Sequence, residues 1–569
     1  MRNLVAHLFK TTIYSYIMKK IIFTTIIACI VTILATSAST RSNKSAISRN
    51  LNIFNTIYKE LQTNYVDTID ADKSIRTAIN AMLQDIDPYT EYIPEEDQED
   101  FNIITSGEYA GIGSVILQRD GNVYISEPQE GSPAHKAGLR PGDLIMMIDG
   151  DTTLGWENSK VSSRLKGKAG TKVTVTIKRP YVEDSIKTVE IIRDKIQVKP
   201  VPYYGVIKGD IGYISLTTFN ENSANDVKDA LVELKKDPRV KSILLDLRNN
   251  GGGLLESSIK IVGLFVPKNT EVLRTRGKGV LNEKVYKTTI KPIDTEIPLA
   301  ILINNGTASS AEIVSGALQD LDRAVIIGSR SFGKGLVQGT RPLPYNGLLK
   351  VTTAKYYIPS GRLIQAIDYS HRNPDGSVGR IPDSLTSVFK TKNGREVRDG
   401  GGITPDIKVE YPEGNRLTYN ILANHWAFDY ANRFAATTPS VANPETFEIT
   451  DSIYNDFKNF IDPEKFKYDK VCEIKLNDLK KAAINEGYMN DSTKAQFDIL
   501  EKMLRHDLYK DLDTNRKDIS NYIAEEIMLR YYFQRGQIIE SLRSDIAIDS
   551  AATILHDREK YSSILKPKK

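Results

Sequence analysis

Ser309, Lys334 and Gln338 are the residues whose types and spacing could carry nucleophilic chemistry. Ser309 follows the apolar run Leu299–Ile303 and a loop of small residues. After it, Ile313, Val314, Ala317, Leu318 and Leu321 recur at helical spacing. A buried strand, a loop and a helix N-terminus are therefore expected in that order. A serine at such a handover exposes its hydroxyl, and the free N–H groups and dipole of the helix favour negative charge developing beside it. Ser309-Ser310-Ala311-Glu312 also fits a capping box, so a plain N-cap reading competes.

Serine is a weak nucleophile until a base takes its proton, and that base need not be histidine. Lys334 lies between Gly333 and Gly335, just after the apolar stretch Ala324-Val325-Ile326-Ile327. A lysine drawn into a partly desolvated site loses proton affinity and becomes usable as a base. Gln338, four residues on, offers an amide oxygen to hold the amine. None of the six histidines (His7, His135, His371, His425, His506, His556) is near Ser309 in sequence, although a fold can join distant residues. Asp246-Leu247-Arg248-Asn249-Asn250-Gly251-Gly252-Gly253 reads as a second strand, glycine-rich turn and helix start. Glycines there let backbone N–H groups approach a ligand, as in a phosphate loop or an oxyanion hole. The lysine and Ser/Thr of a P-loop are absent, which argues against a nucleotide. Two such units opening at one sheet edge would form a crevice for chemistry.

These stretches resemble the C-terminal processing peptidases, also called tail-specific proteases. The resemblance rests on Gly306-Thr307-Ala308-Ser309-Ser310-Ala311-Glu312-Ile313, on Phe332-Gly333-Lys334-Gly335 and on Gln338 at the family's spacing. The glycine-rich turn is similar to the family's oxyanion loop, with Gly251 where proline is usual. Tyr356-Tyr357-Ile358-Pro359-Ser360-Gly361-Arg362 and Gly401-Gly402-Ile403-Thr404-Pro405-Asp406 extend the match, which covers roughly residues 50 to 410.

The resemblance implies a serine endopeptidase working through an acyl-enzyme, without metal or organic cofactor. Ser309 would be the nucleophile, Lys334 the general base, and Gln338 the group orienting the lysine. The N–H groups of Ser310 and of Gly252 or Gly253 would bind the oxyanion. The competing reading is a PDZ-bearing scaffold of the cell envelope with a dead core. A serine–histidine hydrolase using His371 ranks below it.

The chain that must position these groups has 569 residues, enough for three or four domains at about 100–200 residues each. Its net charge is +4, from 76 basic and 72 acidic residues, which gives no reason to expect a nucleic-acid partner. Residues 1–38 read as a signal peptide. Met18-Lys19-Lys20 precedes an apolar run over 21–35 and small residues that suit cleavage after Ala38. Ile26-Ile27-Ala28-Cys29 superficially fits a lipoprotein box, but the apolar run continues past it. Export is expected, to the periplasm or cell envelope, with tethering through an uncleaved segment as the alternative. Without Cys29 only Cys472 remains, so no internal disulfide is expected.

Residues 39–106 read as a helical region, with Ile53, Phe54, Ile57, Tyr58 and Leu61 at helical spacing and Asp87-Pro88 as a breaker. In the family this region contributes dimer contacts, which implies a homo-oligomer; substrates with free C-termini and an adaptor protein are the other partners expected. Residues 107–180 are strand-rich and glycine-punctuated and resemble a PDZ domain. Gly111, Ile112, Gly113 and Ser114 would present backbone N–H groups to a peptide carboxylate, and the following strand would pair with the peptide. Lys166-Gly167 stands where the family carries an arginine–glycine pair linked to switching the protease. Residues 181–410 form the expected peptidase core, with 368–384 as a surface loop around His371, and 411–569 a helical appendage. The expected fold class is α+β multidomain: a mixed α/β protease core with an inserted PDZ domain and helical N- and C-terminal regions.

Overall fold

The computed structural model describes residues 45–279, 282–373, 377–412 and 414–567. The expected signal segment, with its cleavage point and Cys29, lies outside the described residues. The chain forms two compact units, one ending at Pro88 and one beginning at Tyr89. The first contains a helix over residues 45–64 and the helix Ala71–Gln84, which Asp70 opens by accepting the Lys73 N–H. Ile53, Phe54, Ile57 and Leu61, read from the sequence as a packing stripe, are exposed. No helix of the described residues is long and apolar enough to cross a membrane.

In the second unit the region expected to be a PDZ domain is an antiparallel sheet in the order Ser114–Arg119, Asn122–Pro128, Leu144–Ile148, Lys172–Lys178, Ile186–Ile192. Alternate residues Val123, Ile125, Val173, Val175 and Ile177 point into a core that Val161 and Leu165 of the helix Asn158–Leu165 close. The sheet itself continues past residue 180. Ile186–Ile192 pairs with Lys172–Lys178 along its whole length, and Asp194–Gln197 pairs with Glu108–Gly111. Residues 181–185 are the turn of a hairpin.

The peptidase core is built on a six-stranded sheet in the order Tyr204–Ile207, Ile211–Ser215, Ser242–Asp246, Leu299–Ile303, Val325–Gly328, Ile407–Lys408, parallel after its first pair. Ser242–Asp246 and Leu299–Ile303 are buried at every position, as parallel strands covered on both faces must be. Period-two alternation decides which side chain meets which layer. Ile243, Leu245, Leu299, Ile301 and Ile303 pack with the helices Ser223–Lys236, Leu255–Gly263 and Ser310–Asp320. Leu244, Ala300, Leu302, Val325 and Ile327 pack with Ala547, Ile548, Ala551 and Leu555 of the helix Ile546–His556.

The helical region expected after residue 411 is present, and it is packed onto this second face. The last two helices are one wall of the peptidase core, covering the sheet's second apolar face together with Leu542, Ile538 and Ile539 of the preceding helix Arg516–Arg543. The N-terminal region is helical as expected except at one short stretch. Glu91–Ile93, placed by the sequence in a helical layer, joins a second sheet as a strand beside Leu348–Tyr357. The loop expected over 368–384 contains an antiparallel hairpin of Ile367–Arg372 and Val378–Arg380, with His371 in its first strand.

Tyr561 of the helix Arg558–Ile564 pins the C-terminal layer to the central strand. Its hydroxyl accepts the Leu299 N–H at 3.0 Å and lies 3.2 Å from the Leu299 carbonyl, in a fully buried setting. Tyr561→Phe should lower unfolding free energy by about 1–3 kcal/mol, since it strands buried main-chain polar groups. Denaturant unfolding measures this, and an unchanged midpoint would show that the helix is held by apolar packing alone.

Candidate active site

The loops that follow Ser242–Asp246 and Leu299–Ile303 leave the same edge of the sheet and are stitched together. Asn304 accepts the Asn249 N–H through Oδ1 and donates from Nδ2 to Asn249 Oδ1, at 2.9 and 2.8 Å. Thr307 Oγ donates to the Leu247 carbonyl, and the Ala308 N–H donates to that of Asn250. Arg248 anchors the glycine loop from below through Asp246 and Asp545, each at 2.6 Å.

This framework brings Ser309 against Gly252. A Cβ on Gly252 would stand 2.7 Å from the Ser309 Cβ and 2.9 Å from the Ser310 nitrogen, so only glycine fits. The Ser310 N–H, at the first helical position, has no carbonyl one turn back to reach. The two glycine amides differ. Gly252 N–H donates to Asn250 Oδ1 at 2.9 Å, whereas the exposed Gly253 donates its N–H to no group of the described residues. Gly253 is held through its carbonyl, which accepts the Ser310 hydroxyl at 2.9 Å.

Ser309 is not an ordinary N-cap. Its backbone lies at φ 54°, ψ −118°, where a cap residue is extended. Such a conformation costs about 1–3 kcal/mol in a non-glycine residue and persists only where surroundings enforce it. The enforcing group is Glu312, which is fully buried. One carboxylate oxygen accepts the N–H groups of Ser309 and Lys334, both at 2.9 Å. The other accepts the Ser331 hydroxyl at 2.5 Å and the Gly333 N–H at 2.7 Å. Burial pushes the Glu312 pKa up to about 7, against the four hydrogen bonds, which lower it.

Glu312 thus fixes the lysine loop to the serine helix. Tyr356 adds a second tie by donating its hydroxyl to the Lys334 carbonyl at 2.6 Å, and burial raises its own pKa well above the usual phenol range. The Lys334 amine lies 4.3 Å from the centre of the Tyr89 ring. Gln338 Nε2 donates to Thr352 Oγ at 3.1 Å, and the Thr352 N–H donates to Thr90 Oγ at 3.2 Å. The sequence reading missed Tyr89, Thr90, Thr352 and the bridging role of Glu312. The aromatic and β-branched run after Asp87-Pro88 was the available signal for a strand there.

Of the described histidine side chains, His425 packs on Phe428, His135 meets Phe533, His506 bonds Asp511, and His556 bonds Asp210. The side chain of His371 lies outside what is described.

In the PDZ sheet, Ser114–Arg119 is the edge strand, and its unpaired side is flanked by the helix Asn158–Leu165. The turn before it is pinned by carbonyls: Ile112 accepts the Ala134 N–H and Gly113 that of Gln129. Gly113 has φ 72°, and a Cβ there would stand 2.5 Å from the Ser132 Cβ. Lys166 follows the flanking helix, its Cα 3.5 Å from where a Gly111 Cβ would be, and its amine pairs with Asp100.

Four donors on two oxygens make Glu312 hard to replace. In Glu312→Gln two N–H groups would face an NH2, so stability should fall by about 1–3 kcal/mol. A carboxyl whose pKa is raised on folding favours the native state most below its ordinary value near 4.5 and loses that contribution as pH rises through about 7. The stability difference between wild type and variant should therefore narrow over that window. Thermal unfolding from pH 4 to 8 checks this, and a constant difference would mean that Glu312 does not titrate there.

Residues 210–375 match peptidase family S41, 124–179 a PDZ domain, and 417–555 the C-terminal helical domain of a probable PDZ-protease. A probable CtpA-like serine protease of Staphylococcus aureus is 31% identical over 507 residues, spanning 88% of this chain and 91% of that protein. A carboxy-terminal-processing protease of Bartonella bacilliformis is 38% identical over 376 residues, 66% of this chain and 78% of its own. The solved photosystem II D1 C-terminal processing protease aligns with 63% of this chain and 86% of its own at 27% identity, with a TM-score of 0.35. The chain belongs to peptidase family S41, among the serine-type carboxy-terminal-processing peptidases that carry a PDZ domain.

Proposed function

We propose that this peptidase is exported, takes hold of protein C-termini through its PDZ domain, and hydrolyses peptide bonds with a dyad of Ser309 and Lys334. The observation that carries the dyad is the joint hold of Glu312 on the Ser309 and Lys334 N–H groups. It makes the two residues parts of one rigid turn. Lys334 removes the Ser309 proton as the hydroxyl attacks the substrate carbonyl, and returns it to the leaving amine. Gln338 is fixed by Thr352 through its nitrogen, which leaves the amide oxygen to orient the lysine amine. The oxyanion forms between the Ser310 and Gly253 N–H groups; Gly252, whose N–H is held by Asn250, lets the serine approach.

Substrate capture follows from the free edge of Ser114–Arg119. A peptide adds there as a strand, with its terminal carboxylate at the turn of Gly111 to Ser114. The pairing of Lys166 with Asp100 beside that turn supports a switching role, by a single ammonium rather than a guanidinium fork. Export to the periplasm or cell envelope rests on the sequence of residues 1–38 alone. A homo-oligomer and an adaptor protein complete the proposal. The inactive-scaffold reading has no support among relatives, which are named as proteases.

An unperturbed lysine, with a pKa near 10.4, is almost wholly protonated at neutral pH, and arginine cannot serve as a base at all. Lys334→Arg should therefore abolish cleavage of an unfolded protein while leaving the melting temperature close to wild type, and Ser309→Ala should do the same. Appreciable turnover by Lys334→Arg would reduce Lys334 to an electrostatic neighbour. His371→Ala should stay active in the same assay.

Amidating a substrate's C-terminus removes the charge that the PDZ turn receives. Cleavage should slow by about tenfold, as one set of charge-assisted bonds is lost. Equal rates on free and amidated tails would take the PDZ domain out of substrate selection.

A further inference from the structure

The segment Tyr89 to Ile93 enters the peptidase core as an edge strand and carries an aromatic ring to the lysine. Tyr89 is held in place from behind. Tyr369 of the strand Ile367–Arg372 meets its ring edge-on at 5.9 Å, and the two hydroxyls are 3.3 Å apart. The strand register and the Thr90–Thr352 bond fix the main chain beside it. The half-buried Lys334 amine then lies over the ring face at 4.3 Å, within the range where an ammonium is attracted by the ring quadrupole.

We propose that Tyr89 is a second positioning residue for the Lys334 amine, beside Gln338, its ring face holding the ammonium form and so setting the pH above which the lysine serves as base. The proposal rests on the assignment of Lys334 as general base. The ring acts on the amine in two ways of opposite sign. The ring excludes water from the amine, which favours the neutral form, while the quadrupole favours the charged form. A leucine keeps the apolar bulk and loses the quadrupole, so it isolates the second effect.

Ionisable groups on three of the elements packed around Lys334 are fixed by the structure. Glu312 of the helix Ser310–Asp320 bonds its main-chain N–H, Tyr356 of Leu348–Tyr357 bonds its carbonyl, and Tyr369 stands behind Tyr89. The Glu312 and Tyr356 bonds fix the lysine main chain, and Tyr89 is the group placed under its amine.

The test is the pH dependence of kcat/KM of the full chain on fluorescein-labelled casein. Tyr89→Leu should move the acid limb down by about 0.4–1.5 pH units, the range a cation–π contact of ordinary strength implies. Tyr89→Trp, with a stronger quadrupole, should move it up, and Tyr89→Phe should leave the limb within about 0.3 units because the face is kept. Where Tyr89→Leu fails to fold, pentafluorophenylalanine at position 89 inverts the quadrupole with nearly the same shape and should give the same downward shift.

A direct reading uses Ser309→Ala protein labelled at lysine Cε. The resonance lost in Lys334→Arg should titrate lower when Tyr89→Leu is added, a change that a merely structural role or the ionisation of Glu312 would not produce. An unmoved or raised limb in Tyr89→Leu, with Lys334→Ala inactive, overturns the role of Tyr89 and leaves the dyad standing. Activity in Lys334→Ala with a wild-type limb would instead overturn the dyad, and this inference with it.

Discussion

One buried carboxylate holds the site together. Glu312 has no water to share its charge, so its desolvation is compensated only by the four donors that converge on its two oxygens. The donors come from Ser309, Ser331, Gly333 and Lys334, and a displacement of any one leaves an unsatisfied group in the interior. The lysine loop cannot slide relative to the serine helix without breaking bonds on both sides. That constraint also sustains the unusual backbone of Ser309, whose positive φ needs an outside hold.

Below this turn, the site depends on a sheet buried from both sides. The helix layer bearing Ser309 occupies one face, and the last helices of the chain occupy the other. Arg248 connects the second layer to the glycine loop, because its guanidinium pairs with Asp246 at the strand end and with Asp545 before the helix Ile546–His556. A half-buried, doubly paired arginine is a rigid spacer. Residues three hundred positions apart therefore set the place where Gly253 presents its N–H.

The PDZ sheet is organised by the same kind of device. Arg193, largely buried, donates to the carbonyls of Arg164, Leu165 and Lys172 and to Thr171 Oγ. It clamps the end of the helix Asn158–Leu165 to the sheet, so that Lys166 and Gly167 emerge beside the Gly111 turn. Gly167 has φ 144°, and a Cβ there would stand 3.1 Å from the Arg193 Nε, so a side chain would be strained and would crowd the guanidinium. The edge strand Ser114–Arg119 and Lys166 are thereby both placed by the mounting of one helix.

Local pattern alone carried much of this protein. The runs Leu299–Ile303 and Ser242–Asp246 read as buried strands, and the helical spacing after Ser309 read as a helix, because short apolar runs and 3.6-residue periodicity are properties of neighbouring residues. Ser309, Lys334 and Gln338 stood out as candidates through the resemblance of the stretches around them, and the fold ties the Ser309 and Lys334 N–H groups to one carboxylate. What tertiary structure decided involves partners far apart in the chain. The helices after 544 are amphipathic in any setting, and only the uncovered face of the sheet makes them a wall of the core. Tyr89 follows a helix-breaking Asp87-Pro88 and gains its meaning only when Glu91–Ile93 pairs with Leu348–Tyr357, some 260 residues later. Glu312 looked like half of a capping box, which its bond to the Ser309 N–H makes it. Its three other donors lie 19 to 22 residues downstream, and no local rule counts hydrogen bonds across such a gap.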